Sequence, residues 1–281
     1  MGSPSVSRVL GLSDAFARSI GGGLALRLTG PGQRSPTSFY VLAVLSVVAC
    51  TREPKPPPPA QRLGGVQVPG EVLARGERGY RTVCASCHGI EGDGQGRLGV
   101  RQVPAPRSFA SGVIKFASVP AGDLWTDDDV LRVLHEGLQG TQMLAFKLPE
   151  EELRAIVQHL KTFSPRFRVE TPGEPVEVPA DPWSENGDAA KAAGDGLYAS
   201  LGCASCHESG RSTPTIWRNA IDAPRLAGYR PKAGGSPERV YQTLAAGVGG
   251  IEGKRGLAER HSAREIWALV HYLRAVLDTG D

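Results

Sequence analysis

The pentapeptide Cys84-Ala85-Ser86-Cys87-His88 recurs in the second half of the chain as Cys203-Ala204-Ser205-Cys206-His207. Two thiols three positions apart on one turn of helix reach the two vinyl groups of a porphyrin and form thioethers with them. The histidine that follows supplies an axial imidazole nitrogen to the iron. C-x-x-C-H is the attachment signature of a c-type haem. The sequence therefore predicts two covalently attached haem c groups, with His88 and His207 as iron ligands.

Three other interpretations of a C-x-x-C pair are a disulfide, a thioredoxin-like redox pair and half of a zinc site. None of them explains why a histidine follows the second cysteine in both copies. A zinc site built from both pairs would also leave unexplained why each pair has a helical domain of its own.

The composition is that of a globular protein of one large or two small domains, with 281 residues, 40% hydrophobic and 22% charged. The net charge of +3 is too small to indicate a nucleic-acid partner. Four of the five cysteines belong to the two pentapeptides, which leaves Cys50 to be explained.

The N-terminal leader, residues 1–50, contains an apolar run over residues 39–49 that ends at Cys50. Eleven residues are too few to span a bilayer comfortably and suit the core of a signal peptide. Val47-Val48-Ala49-Cys50 resembles the bacterial lipoprotein box, whose cleavage leaves Cys50 as a lipidated first residue. An ordinary secretion signal and an anchor helix are the alternatives. Each predicts haem domains on the periplasmic side of a bacterial membrane.

Proline-rich segments divide the rest of the chain. Residues 51–70 are expected to form an extended tether, and residues 166–183 a linker. This predicts one helical domain over residues 71–165 and a second over residues 184–281.

The first domain is expected to begin with a helix that carries Gly76 and Tyr80, where glycine allows another helix to cross closely. A helix capped by Thr126 should end at Gly137, and Pro149 should open the last helix. A carbonyl within Pro104-Ala105-Pro106 is expected to accept the second ring N–H of His88.

Met143 lies in a polar, glycine-rich loop just before the last helix of the first domain. Its thioether is a soft ligand that raises the reduction potential of haem iron. The position of the loop predicts Met143 as the ligand opposite His88, whereas a methionine that only packs in the core is the plainer alternative.

The second domain repeats this order. Gly194 and Tyr198 precede the pentapeptide, Ser236 caps a helix that stops at Gly247, and Ser262-Ala-Arg-Glu265 is a capping box for the last helix. Both halves resemble class I cytochrome c, which makes the chain similar to a diheme cytochrome c. The resemblance implies an all-α fold with crossing terminal helices, His88 and Met143 as axial ligands, and one-electron transfer through an exposed haem edge.

The second domain departs from the family pattern because no methionine follows His207. Alignment from Gly247 sets Gly253 in the place of Met143. His261, Lys254 or an open position with water are the candidates for the sixth coordination site, and His261 is preferred.

Two functions remain open at this stage. The first is an electron carrier between membrane or periplasmic redox proteins, bound to the membrane through a lipid anchor or N-terminal helix. The second is a haem enzyme or gas sensor that uses the iron without a methionine, as diheme peroxidases do. No acid–base pair, nucleophile or substrate motif stands out, which favours a carrier over a stand-alone catalyst.

Overall fold

The computed structural model describes residues 56–208, 212–213, 221–251 and 255–280. The first half consists of a short antiparallel hairpin followed by four helices and a 3-10 turn. These elements are β1 (Gln61–Leu63), β2 (Val66–Val68), α1 (Gly70–Val83), α2 (Ala85–His88), α3 (Asp127–Glu136), α4 (Glu150–Lys161) and the 3-10 turn Pro165–Arg168.

The second half repeats the four helices in the same order. They are α5 (Gly187–Ser200), α6 (Ala204–His207), α7 (Pro237–Ala246) and α8 (Ala263–Leu277), with 3-10 turns at Leu257–Glu259 and Asp278–Gly280. A small antiparallel pair, β3 (Ser212–Thr213) and β4 (Ile221–Asp222), follows α6. Within the described residues the fold is mostly helical, which confirms the predicted all-α class.

The first and last helices of each half cross at a glycine. A side chain at Gly76 on α1 would overlap the carbonyl oxygen of Ala155 on α4. A side chain at Gly194 on α5 would overlap the carbonyl oxygen of Ala268 on α8. The two backbones approach closely because glycine has no Cβ, as the sequence predicted.

Local signals place the helix ends as expected. Thr126 and Asp129 form a capping box at the start of α3, and Ser262 and Glu265 form one at the start of α8. The Ser236 hydroxyl accepts a hydrogen bond from the first turn of α7. Helices α3 and α7 both end at a glycine with positive φ, 71° at Gly137 and 84° at Gly247.

The structure differs from the predicted tether in its second part. Residues 61–68 form the β1–β2 hairpin, and Leu63 and Val68 are buried in the core of the first half. The two-residue turn at Gly64-Gly65 has φ angles of 60° and 84°, which suit a tight hairpin. The Gly64 amide also donates to the carbonyl of Phe167, so that the hairpin is part of the domain core and not a spacer.

The linker also begins inside the first domain, because Phe167 is buried in the same core and stacks obliquely on Trp125. Cys50, the leader and residues 51–55 lie outside the described residues. Within the part of the chain that is described, no helix has the length and apolar character needed to cross a bilayer.

Two glycines on α5 provide a direct test of the helix crossing. Gly194→Ala should lower the free energy of unfolding by about 1–3 kcal/mol, because the methyl group has to push α5 away from α8. Gly196→Ala is the matched control: a Cβ there meets no atom within 4 Å, and alanine should stabilise the helix by roughly 0.5–1 kcal/mol. Urea unfolding of both variants checks this, and equal effects at the two positions would contradict the crossing.

Candidate functional site

Each C-x-x-C-H motif forms a single helical turn attached to the end of the first long helix of its half. The amide of His88 donates to the carbonyl of Cys84 at 2.9 Å, and the amide of His207 donates to the carbonyl of Cys203 at 3.0 Å. This turn brings the two thiols and the imidazole of each motif together. All four motif cysteines are thiols.

The Cys84 thiol of the first motif is protonated at neutral pH. Burial raises its pKa to about 12, and the nearby Cys87 adds to this effect. Among the described residues, no group of three or more histidine, cysteine or acidic side chains is arranged to hold a metal ion.

A backbone carbonyl orients each motif histidine. Nδ1 of His88 lies 3.1 Å from the carbonyl oxygen of Arg107, and Nδ1 of His207 lies 2.9 Å from that of Pro224. Because a carbonyl only accepts, Nδ1 carries the proton and the lone pair is on Nε2, the nitrogen that can bind iron.

The prediction that a carbonyl within Pro104-Ala105-Pro106 accepts the ring N–H of His88 was therefore wrong by one residue. A signal for the correct region is present in the sequence: Ala-Pro-Arg occurs at residues 105–107 and again at 223–225. In the second half the acceptor is indeed the proline of this tripeptide.

The His88 imidazole packs against an aromatic ring. Phe109 stacks on it with the ring centroids 4.8 Å apart, a contact that the sequence interpretation had missed. Tyr80 donates its hydroxyl to the carbonyl of Gly89 at 2.6 Å. Burial lowers the pKa of His88, although its hydrogen bond to Arg107 opposes this effect. The imidazole is thus kept in the neutral form that a metal requires.

The glycine-rich segment after His88 wraps tightly around the motif. A side chain at Gly96 would overlap the backbone of Ser86, and the Leu98 amide donates to the Ser86 carbonyl at 2.9 Å. The Gly94 amide donates to the carbonyl of His88 at 2.8 Å. Glycine at position 96 is therefore needed for the close approach to the motif turn.

Met143 lies in the loop between α3 and α4 and packs, half-buried, against the core cluster that contains Cys84. Its amide is held by the Thr141 hydroxyl at 3.0 Å, and its carbonyl accepts from the Leu138 amide at 2.8 Å. These two hydrogen bonds fix the backbone of the loop at Met143, while the role of Met143 as iron ligand stays a prediction.

The corresponding loop of the second half is longer. His261 precedes the cap of α8, where its Nδ1 lies 3.6 Å from Oε1 of Glu265 and its side chain is 19% exposed. Lys254 and Gly253 lie outside the described residues. The assignment of His261 as the sixth ligand stays a prediction.

The start of this loop pairs with its later part. Gly247 forms an isolated antiparallel bridge with Arg255, and in the first half a Cβ on Gly137 would meet backbone atoms of Met143, Leu144 and Ala145. The alignment that sets Gly253 in the place of Met143 stays a prediction.

The surface around the first motif fits a large apolar group. Five of the eight exposed large apolar side chains in the described residues belong to segments that adjoin the motif turn or Met143, namely Ile90, Leu98, Val100, Val103 and Leu144. Burial lowers the pKa of Arg107 to about 10, which leaves a buried cation next to the histidine. An apolar macrocycle with anionic propionate groups matches both features, and the thiols, imidazole and thioether match its iron and vinyl groups.

Two thiol–thiol–imidazole motifs on a helical scaffold of crossed terminal helices define a c-type cytochrome, a class that carries covalently bound haem c and transfers electrons. The family model described as cytochrome c oxidase, cbb3-type, subunit III matches residues 71–160 and again residues 189–273. The chain belongs to this family.

One similar solved structure is a chain of the reducing HAO-like protein complex Kustc0457/Kustc0458 of Kuenenia stuttgartiensis. It is 30% identical, superposes with a TM-score of 0.68, and the match covers 72% of the present chain and 96% of that chain. No curated protein matches the chain.

The pH dependence of the protein's stability should reveal the titration of His159, whose ring centroid lies 5.4 Å from that of Tyr80. Burial lowers the pKa of His159, although Glu77 opposes this effect. Because the unfolded histidine has the higher pKa, about 6.5, the unfolded state takes up the proton first as the pH falls. Stability should therefore drop as the pH is lowered from about 6.5 toward the lower folded-state value.

The matched variant is His159→Tyr, because Tyr272 takes this place beside Tyr198 in the second half. Urea-unfolding midpoints of both proteins between neutral and mildly acidic pH measure the effect. The unfolding midpoint of the His159→Tyr variant should fall less than that of the wild type as the pH is lowered. If the difference between the two midpoints is the same at every pH, His159 does not have this role.

Proposed function

We propose that this cytochrome is a diheme carrier, which passes single electrons between redox proteins at the periplasmic side of a bacterial membrane. The observation that supports it best is the matching geometry of the two motifs, each with its imidazole held by a backbone carbonyl at about 3 Å. The similar structure comes from a protein complex, which supports redox proteins as partners.

The residues of the chain would supply the environment that electron transfer needs. Bound haem provides an iron that cycles between two oxidation states. Carbonyl-bound Nδ1 atoms fix the orientation of His88 and His207, so that little reorganisation accompanies a change of charge. The thioether of Met143 would favour the reduced state and give the first haem the higher reduction potential. An imidazole or amine at the second haem would lower its potential.

Attachment to the membrane is the second part of the proposal. Cleavage before Cys50 and lipidation of that residue would anchor the chain, with the proline-rich residues that precede the hairpin as spacer. This assigns both domains to the periplasmic side.

A haem enzyme or gas sensor is the second candidate, and the lack of a methionine after His207 favours it. An iron with an open or weakly held sixth site would bind peroxide or small gases. A visible spectrum separates the candidates: two low-spin six-coordinate haems support the carrier, while a high-spin ferric band and CO binding to the reduced protein support chemistry at iron.

The number of haems is tested by removing one motif at a time. The double variants Cys84→Ser/Cys87→Ser and Cys203→Ser/Cys206→Ser should each lower the haem content of protein matured in a competent host from two to one, because both thioethers of the corresponding motif are lost. Ser86→Ala and Ser205→Ala are the controls and should retain both haems. Intact mass and the haem spectrum give the count, and a wild-type mass without attached porphyrin would refute the proposed function.

The axial ligands are tested by two substitutions. Met143→His should lower the higher of two reduction potentials, because imidazole is a stronger donor than a thioether. His261→Ala should convert the second haem to high spin if His261 is its ligand. A redox titration and ferric spectra measure these effects. An unchanged spectrum for His261→Ala would reject that assignment and turn attention to Lys254, for which Lys254→Ala is the corresponding variant.

A further inference from the structure

One segment of the second domain, residues 224–232, extends from the second motif to the first domain. At its start the Pro224 carbonyl oxygen lies 2.9 Å from Nδ1 of His207. Leu226 packs against a buried cluster of the second domain, and its carbonyl accepts from the Tyr229 amide at 3.0 Å. The start of the segment is therefore fixed beside the haem-attachment motif of its own domain.

Lys232 ends this segment and contacts the first domain. Its carbonyl accepts a hydrogen bond from the Gln139 amide at 3.3 Å. Its main chain is also hydrogen-bonded to the Tyr229 hydroxyl. Both bonds use only backbone atoms of Lys232, so its position does not depend on its own side chain.

Gln139 belongs to the first-domain loop that carries Met143. The Leu138 amide donates to the carbonyl of Met143 at 2.8 Å, and the Thr141 hydroxyl donates to the carbonyl of Leu138 at 2.8 Å. The loop is thus closed by its own hydrogen bonds next to the residue that contacts the second domain. Lys232 therefore lies against the loop between α3 and α4.

The ammonium group of Lys232 lies near the guanidinium of Arg107. Burial lowers the pKa of Lys232, and the charge of Arg107 lowers it further. Arg107 is also the residue whose carbonyl oxygen lies 3.1 Å from Nδ1 of His88. Among the described residues, no carboxylate lies within 4.0 Å of the Lys232 ammonium. Two cations, one from each domain, therefore make the potential beside the first motif positive.

A second pair of cations from the two domains differs in one respect. Burial and the nearby Arg239 of the second domain lower the pKa of Arg132, whereas the charges of Asp129 and Glu136 oppose this effect. Acidic side chains of the first domain thus offset the repulsion at Arg132. A bound anion would have the same effect at Lys232.

Backbone contacts hold the two domains together. The Ala121 amide donates to the carbonyl of Ala246 at 2.8 Å, and the Gly249 amide donates to the carbonyl of Lys115 at 3.1 Å. A side chain at Gly249 would overlap the carbonyl oxygen of Ile114, so the two backbones are close-packed there. These contacts keep the domains together although cations of both domains lie near one another.

We propose that Lys232 of the second domain completes the haem site of the first: with Arg107 it forms a cationic site for a propionate carboxylate of the haem attached at Cys84 and Cys87. The inference rests on the proposed diheme function and adds that one haem site is built from both domains. A carboxylate forms charge-assisted hydrogen bonds with ammonium and guanidinium groups, so its binding offsets their mutual repulsion. A positive charge near the iron disfavours the ferric state, so Lys232 raises the reduction potential of the first haem.

The test uses the full-length, haem-loaded protein with the variant Lys232→Gln. The affinity of the first haem for an electron should fall several-fold, because a positive charge near its iron is lost. Lys232→Arg should keep the wild-type reduction potential. Arg230→Gln is the matched control, because Arg230 is an exposed cation of the same segment and its loss changes the net charge equally.

A redox titration measures the potentials, and the Cys203→Ser/Cys206→Ser protein identifies the first haem because it retains that haem alone. Infrared difference spectra of the reduced and oxidised proteins report on the propionate directly. Its carboxylate stretch should shift in Lys232→Gln and stay unchanged in Arg230→Gln.

Each outcome decides a different point. The inference is overturned if the first haem of Lys232→Gln keeps its potential and carboxylate band, or if Arg230→Gln or Lys232→Arg changes them as much. A wild-type protein with fewer than two haems would instead refute the proposed function. If Lys232→Gln does not accumulate, Lys232→Met removes the same charge from an unbranched side chain and is judged by the same measurements.

Discussion

The close crossing of the first and last helices is the constraint on which the motif geometry depends. Because Gly76 lets α1 contact the backbone of α4, Tyr80 lies one turn later in the core, where its hydroxyl reaches the carbonyl of Gly89. Cys84 ends the same helix, so the thiol turn starts from a fixed point. The orientation of His88 is then completed by a carbonyl from a distant loop.

The two halves share this scaffold and differ in the side chains around it. Phe109 stacks on the first motif histidine, whereas Leu226 packs with the cluster that contains Cys203 in the second half. His159 at the first crossing is replaced by Tyr272 at the second. The loops after α3 and α7 differ in length, and only the first contains a methionine. A common fold thus surrounds the two motifs with different side chains, and differences of this kind tune the reduction potential of a bound haem.

Local rules predicted much of the fold because they act within a few residues. The capping pairs Thr126–Asp129 and Ser262–Glu265 each lie within one turn, and Gly137 and Gly247 end their helices through their own backbone freedom. The β1–β2 hairpin was missed because the prolines before it dominated the interpretation, although Gly64-Gly65 between apolar residues is a hairpin signal. The predicted acceptor for the His88 N–H was one residue away from the observed one. Spacing along the chain limits such a contact to a short segment and does not select a single residue.

By itself, the sequence indicated the haem-attachment chemistry and determined the duplication and several helix ends. These depend on residue types at fixed short separations, where the geometry of one helical turn leaves few alternatives. Only the tertiary structure decided which carbonyl holds each imidazole, that Leu63 and Phe167 belong to the first core, and that Gly249 meets the first domain. Such contacts join residues far apart in the chain, and their partners follow from how complete helices and loops pack.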